Sequence, residues 1–359
     1  MQLKQALASA VKHLAAADVG SPRMNAETLL MFVLGANRAY LYAHPERELT
    51  AEEHSRYDDV IGQRASGVPS QYITGHQEFW GLDFVVSPAV LIPRPETEHL
   101  LETVLELARA VPAPRIVDVG TGSGCIALAL AHELKDAEVY GVDVSAEALE
   151  IARANAARLQ LEQPVRFLRC DVLTSVEEPE EVVIPSEDAP NRARRATSKI
   201  RHPQRGESAQ THECSRRARP ELAEGTCIFR NFDFVVSNPP YVGLHEADKV
   251  QRSVFEFEPR MAVFAGENGL AVIRPLIEQA HAALKPGGYL AMEIGYSMRD
   301  AVLTLLNPTM WDDVRVVPDL RGIPRVVAAG KRKPLPGNGC GPTGRSTAFV
   351  RSGGPLYSE

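Results

Sequence analysis

Apolar residues recur at helical spacing through the first part of the chain. Leu3, Ala6, Leu7, Ala10, Val11 and Leu14 fall on one helical face. Asn25 to Leu34 predicts a second helix, with Gly35 placed to cap it. Thr50-Ala-Glu-Glu53 has the form of a capping box and opens a third helix, running to about Ser66 and ended by Gly67. Residues 1–72 therefore read as a small helical domain, and nothing in it has the look of a catalytic group.

The period changes over residues 73–92. Gln77 to Val86, QEFWGLDFVV, mixes aromatic and β-branched residues and predicts a β-hairpin, with Gly81-Leu82-Asp83 in the turn. Two prolines in LIPRPETEHLLETVLEL then hold the chain extended, and a helix starts near Thr97. From Arg115 the pattern alternates. RIVDVG is a buried strand and GTGSGCIALALAHEL a tight turn running into a helix. EVYGVDV and VRFLRCDV are strands around the helix SAEALEIARANAARL. The rhythm resumes with the strand FDFVVSNPPY, the helix NGLAVIRPLIEQAHAAL, the strand YLAMEIG, and a last helix and strands reaching about Ala329. Strands alternating with helices predict an α/β, Rossmann-like domain over residues 93–330, with a mostly parallel sheet covered on both faces.

Two stretches fall outside this rhythm. Residues 175–229 begin acidic and turn basic, with few apolar positions and no period, and read as a disordered insertion. Residues 331–359 are rich in Gly, Pro and Ser and read as a disordered tail.

Charge and cysteine usage narrow the function classes. A net charge of -7 argues against a partner held mainly through phosphates, so no nucleic acid is expected. The five cysteines, Cys125, Cys170, Cys214, Cys227 and Cys340, are odd in number and show no CxxC spacing. That predicts neither a disulfide framework nor a zinc or other metal site, and points to the reducing cytoplasm. Lys4 and Lys12 break the N-terminal apolar run, so it does not read as a signal peptide. No stretch approaches the ~20 consecutive apolar residues that a membrane span needs.

Chemistry concentrates at the predicted strand ends. Asp118-Val-Gly-Thr-Gly-Ser-Gly124 sits where a strand turns into a helix, and its glycines let backbone approach a ligand closely. The spacing is neither the G-x-G-x-x-G of dinucleotide folds nor a Walker loop. Asp143 ends the next strand, where a carboxylate accepts from both hydroxyls of a ribose, and Asp171 ends the third, where a side chain meets an adenine amino group. Helix capping is the bland role for Asp143. Ser237-Asn238-Pro239-Pro240-Tyr241 ends the fourth strand and suits a planar amino group of low nucleophilicity. The Asn238 side-chain oxygen and the Pro239 carbonyl accept its two hydrogens, the prolines stiffen the frame, and Tyr241 supplies an aromatic wall. Glu256 and Glu258 read equally well as substrate-orienting groups or surface charges, and His76 and His99 as structural or exposed.

Taken with FWGLDFVVSPAVLIPRPETEHLLE (79–102), VYGVDVSAEALEIARANA (139–156), FEPRMAVFAGENGL (257–270) and LKPGGYLAMEIG (284–295), these motifs resemble the HemK family of protein glutamine amide methyltransferases. The segment 92–98, IPRPETE, resembles the branch that modifies peptide chain release factors more than its sister acting on a ribosomal protein. The resemblance implies an N-terminal helical domain that recognises substrate, a β-hairpin linker, and a seven-stranded class I methyltransferase sheet with a reversed last strand. It implies S-adenosyl-L-methionine as cofactor, held by Gly120, Thr121, Gly122, Ser123, Gly124, Asp143, Val172 and Asn238. Asn238, Pro239, Pro240 and Tyr241 would form the pocket for the glutamine of a Gly-Gly-Gln loop, in a monomeric enzyme that affects translation termination. The same Asn-Pro-Pro-Tyr logic serves adenine amino methyltransferases of DNA or RNA, whose bases stack on the aromatic ring. A basic target-recognition domain would mark that class, and the basic part of 175–229 is the one feature favouring it.

Overall fold

The apolar stripe from Leu3 to Leu14 becomes helix α1 (Leu3–Ala16), with Leu3, Ala6, Ala10 and Leu14 buried against α2 (Pro22–Leu34) and α4 (Ala51–Ala65). The computed structural model describes residues 1–161, 163–175 and 229–334. The stretches read as an insertion and a tail lie, but for their ends, outside the described residues. Gly35 caps α2 in the left-handed conformation, at φ 58°. The Thr50 hydroxyl accepts the Glu53 N–H at 3.1 Å and the Glu53 carboxylate accepts the Thr50 N–H at 2.9 Å, so the capping box opens α4. Short helices α3 (Arg38–Ala43) and α5 (Ser70–Thr74) complete this layer. No helix among the described residues is long and apolar enough to cross a membrane.

Strands β1 (His76–Phe79) and β2 (Leu82–Val85) form the expected hairpin, but the turn is Trp80-Gly81, not Gly81-Leu82-Asp83. Both turn residues have positive φ, 54° and 69°, as a two-residue turn of the hairpin-favoured hand requires. A one-residue slip would reverse the faces of the strand. The observed register buries Phe79 and Phe84, whose rings meet edge to face.

After α6 (Glu98–Ala108) the chain alternates through β3 (Arg115–Val119), α7 (Cys125–Glu133), β4 (Glu138–Asp143), α8 (Ala146–Leu159) and β5 (Arg166–Asp171). A two-residue strand β6 (Thr174–Ser175) pairs antiparallel with β5. Then follow β7 (Phe232–Ser237), α9 (Arg252–Phe257), α10 (Arg260–Val263), α11 (Ile273–Ala283), β8 (Leu284–Glu293), α12 (Arg299–Leu305), β9 (Trp311–Pro318) and β10 (Pro324–Lys331). The sheet order is β6-β5-β4-β3-β7-β8-β10-β9. Strands β5, β4, β3, β7 and β8 run parallel, and β10 is the reversed strand, antiparallel to both β8 and β9. The seven long strands are those the alternation predicts, and β6 is an addition at the edge.

Alternate residues of the central strands feed two cores. Ile116, Phe234 and Val236 face α6, α7 and α8, while Val117, Val119 and Val235 face α11, α12 and Trp311. Burying a side chain of this size contributes about 1.5–3 kcal/mol each, so the sheet is held from both sides. The chain leaves β3 towards β4 on one side and later returns through β7 on the other. This switch point opens a crevice at the carboxyl ends of the strands.

One polar residue clips three elements together within the apolar layer. Asn155, fully buried on α8, accepts the Val85 N–H at 2.7 Å and donates to the Val85 carbonyl at 3.0 Å and the Ser123 carbonyl at 2.9 Å. Asn155→Ala leaves three backbone groups without partners in a buried place. We predict a loss of about 3 kcal/mol or more in chemical denaturation, and a loss below 1 kcal/mol would show that these bonds are replaced by water.

Candidate active site

The loop after β3 is built to leave its backbone bare. Gly120, Gly122 and Gly124 all have positive φ, and nothing lies within 4 Å of where a Cβ would stand on Gly120 or Gly122. Gly124 serves packing instead: its Cβ would come to 3.0 Å from Leu128 Cδ1 and 3.2 Å from Ala152 Cβ, between α7 and α8. Two carboxylates pin the loop. Asp143 Oδ2 accepts the Gly122 N–H and Oδ1 the Ser145 N–H, each at 2.9 Å. Ser145, not Asp143, caps α8 through its hydroxyl on the Ala148 N–H. Asp118 is fully buried below the loop, where Oδ2 accepts the Thr121 hydroxyl at 2.7 Å and the Ala127 N–H at 3.2 Å. Burial raises the carboxyl pKa of Asp143, and pushes that of Asp118 up to about 7.

The second loop leaves the neighbouring strand β7. The Ser237 hydroxyl donates to the Val119 carbonyl at 2.7 Å, tying the end of β7 to the end of β3. Asn238, Pro239 and Pro240 thereby share one cleft with Gly120, Thr121, Gly122 and Ser123. Asp143, Asp171 and Val172 line the same cleft. Val172 holds φ 56°, a rare conformation for a β-branched residue that costs about 1–3 kcal/mol and favours functional sites. Gly124 and Tyr241 are the two predicted residues that do not line the cleft.

Tyr241 belongs to a network that the sequence does not reveal. Its hydroxyl donates to Glu293 Oε1 at 3.1 Å, the Thr97 hydroxyl donates to Oε2 at 2.7 Å, and Asn238 Nδ2 donates to Thr97 Oγ1 at 3.1 Å. Glu293 and Thr97 are both 2% exposed. Burial raises the Glu293 carboxyl pKa, against the two hydroxyl donors and the more distant Arg325. A second buried acid, Glu258, receives the Ile92 N–H at 3.2 Å and pairs with Arg94, so it clamps the IPRP segment to the end of α9. Of the two acids left open between surface and substrate roles, Glu258 is thus internal and Glu256 pairs with Arg252 outside. His76 and His99 lie outside the cleft, beside Asp83 and Glu102.

The cleft suits a ligand with a nucleoside at one end and a charged group at the other. The bare glycine backbone takes a close polar contact, and Asp143 and Asp171 offer acceptors at successive strand ends. Among the described residues, Asp118 Oδ1 and Ser123 Oγ are buried without a hydrogen-bond partner; Ser123 lines the cleft, whereas Asp118 lies below the loop. Such orphaned polar atoms are costly unless a ligand or water meets them.

The buried Asp118 carboxyl makes the stability pH-dependent. Its folded pKa lies above the unfolded ~3.9, so the folded state holds the extra proton and stability falls as pH rises from about 4 to 7. Asp118→Asn removes that fall. In denaturation of the ligand-free protein, the stability of the variant relative to wild type should rise by a few kcal/mol between pH 4.5 and 7.5. Parallel pH profiles for the two proteins would show that Asp118 titrates normally.

Relatives identify the architecture. Residues 5–75 match the family described as PrmC N-terminal domain, and residues 111–187 the family described as Methyltransferase domain. The chain is 50% identical over 331 residues to a release factor glutamine methyltransferase of Koribacter versatilis, covering 92% of this chain and 99% of that one. A protein of the same name from Moorella thermoacetica is 37% identical over 334 residues, covering 93% of this chain and 100% of that one. A third, from Nitratidesulfovibrio vulgaris, is 35% identical over 329 residues, covering 91% and 94%. With half its residues shared along almost the whole length of both chains, the protein belongs to the release factor glutamine methyltransferase family.

Proposed function

We propose that the protein transfers the methyl group of S-adenosylmethionine to the side-chain amide nitrogen of the glutamine in a Gly-Gly-Gln loop of a peptide chain release factor. One observation carries this reading. A bare glycine loop with a carboxylate behind it and an Asn-Pro-Pro frame meet in a single cleft at the ends of adjacent parallel strands. The family to which the chain belongs supports the choice of substrate.

Within the cleft the residues divide the work. Gly120, Thr121, Gly122 and Ser123 hold the charged end of the donor, Asp143 accepts from the ribose, and Asp171 and Val172 border the adenine. When bound, S-adenosylmethionine supplies a methyl carbon on a sulfonium, whose sulfur keeps the bonding electrons as the new bond to nitrogen forms. Asn238 Oδ1 and the Pro239 carbonyl accept the two hydrogens of the substrate amide, raising electron density on nitrogen and aiming its lone pair. Pro239 and Pro240 have fixed φ and no N–H, so the frame presents acceptors without donors. Tyr241 backs the frame from its anchor on Glu293. Holding a poor nucleophile in line supplies much of the rate, and the methylated nitrogen loses its proton afterwards, so no side chain has to act as base before attack. Residues 1–72, joined by the hairpin of 73–92 to the catalytic domain of 93–330, act as the surface that receives the release factor in the cytoplasm.

Asn238→Ala separates binding from chemistry. Turnover on a release factor should fall by ~10² or more while S-adenosylmethionine binding, followed by calorimetry, stays within a few-fold of wild type. Equal losses in both would place Asn238 in donor binding alone. Asp143→Ala should weaken donor binding first, since it also frees the Gly122 N–H from its tether on the Asp143 carboxylate.

A further inference from the structure

We infer that Glu293 and Thr97 are positioning residues that set which way round the Asn238 carboxamide sits. The inference rests on the proposed amide methylation and adds what makes Asn238 competent for it. With Glu293 in its ionised form, which the two hydroxyls and Arg325 favour against burial, the carboxylate has acceptors only, so the hydroxyls of Thr97 and Tyr241 both donate to it. Thr97 has then spent its one hydrogen, and Oγ1 can only accept from the third member of the chain. That member is Asn238, which must turn its NH₂ group towards Thr97. The carboxamide is planar, so its oxygen faces the other way, in a residue that lines the cleft. The direction of three hydrogen bonds therefore decides that the substrate amide meets an acceptor. A flipped Asn238 would offer two N–H donors to a group that itself brings two N–H donors.

The three residues come from separate parts of the chain. Thr97 ends the turn Pro95–Thr97 before α6, Asn238 follows β7, and Glu293 is the last residue of β8. Glu293 does not line the cleft, so it reaches the substrate only through Thr97 and Tyr241. Its burial among hydroxyls removes the water that would otherwise supply alternative donors and scramble the orientation.

Glu293→Gln keeps the shape and breaks the logic. An amide places an NH₂ where the carboxylate had its second oxygen, so one of the two hydroxyls faces a donor, and the chain to Asn238 loses its fixed direction. Thr97→Val removes the link itself at nearly constant volume, and Thr97→Ser restores the hydroxyl. Release factor and S-adenosylmethionine are the probes, with kcat, KM and donor Kd measured for each variant, and Tm to establish folding. We expect kcat to fall about tenfold or more in Glu293→Gln and in Thr97→Val. The KM for release factor and the donor Kd should stay within about twofold, because Glu293 lies outside the cleft and Thr97, at its wall, spends its hydroxyl on Glu293 and Asn238. Thr97→Ser should recover most of the loss. The losses of the double variant should not multiply, since both act through one bond. A Thr97→Val enzyme with wild-type kcat overturns the inference, as do multiplied losses or a loss confined to KM. Should Glu293→Gln fail to fold, the Thr97 pair alone decides. Failure of wild type to methylate a release factor would instead refute the proposed function, which separates the two ideas.

Discussion

Strands β3 and β7 lie side by side and run the same way, although about a hundred residues separate them in the chain. Each must end at the same edge of the sheet, and whatever follows each strand must share that space. The register Val119↔Ser237 and the bond from the Ser237 hydroxyl to the Val119 carbonyl hold the two ends together. The glycine loop and the Asn-Pro-Pro loop are thus neighbours by topology, before any ligand arrives. The cores on the two faces of the sheet keep this edge rigid, and the hairpin reaches it through Asn155.

Acids carry most of the polar architecture around the cleft. Asp118, Asp143, Glu258 and Glu293 come from different strands and loops, and three of them are raised in pKa by burial. Among the described residues, Glu258 alone of the four faces a cation at close range, Arg94. The others are met by backbone N–H groups and hydroxyls, which point in fixed directions and so convey orientation as well as charge balance. Burying carboxylates this way costs stability. The return is a loop and a carboxamide that are already oriented before substrate binds, which is where such sites gain rate.

The helices and the parallel sheet were legible because each rests on local periodicity, whereas the reversed last strand was implied only by the family resemblance, since strand direction leaves no local pattern. So were the two loops, whose unusual composition at strand ends marks them. The hairpin turn was misplaced by a residue because Trp80 takes positive φ, which nothing local to Trp-Gly-Leu-Asp announces. Asn155 and Glu293 carried a faint signal: each is a polar residue at a position the pattern reserves for the core, beside Ala152 on α8 and after Met292 on β8. Thr97 carried none, since its role arises from partners 141 and 196 residues away. Glu258 was ambiguous for the same reason, with its partners in the IPRP segment.

The most direct measurement is transfer of labelled methyl from S-adenosylmethionine to a purified release factor, beside the same factor with Gly-Gly-Ala in place of Gly-Gly-Gln. The account predicts label on the first and none on the second, located on the side-chain amide by mass spectrometry. Equal label on both, or label on nucleic acid instead of protein, would contradict it.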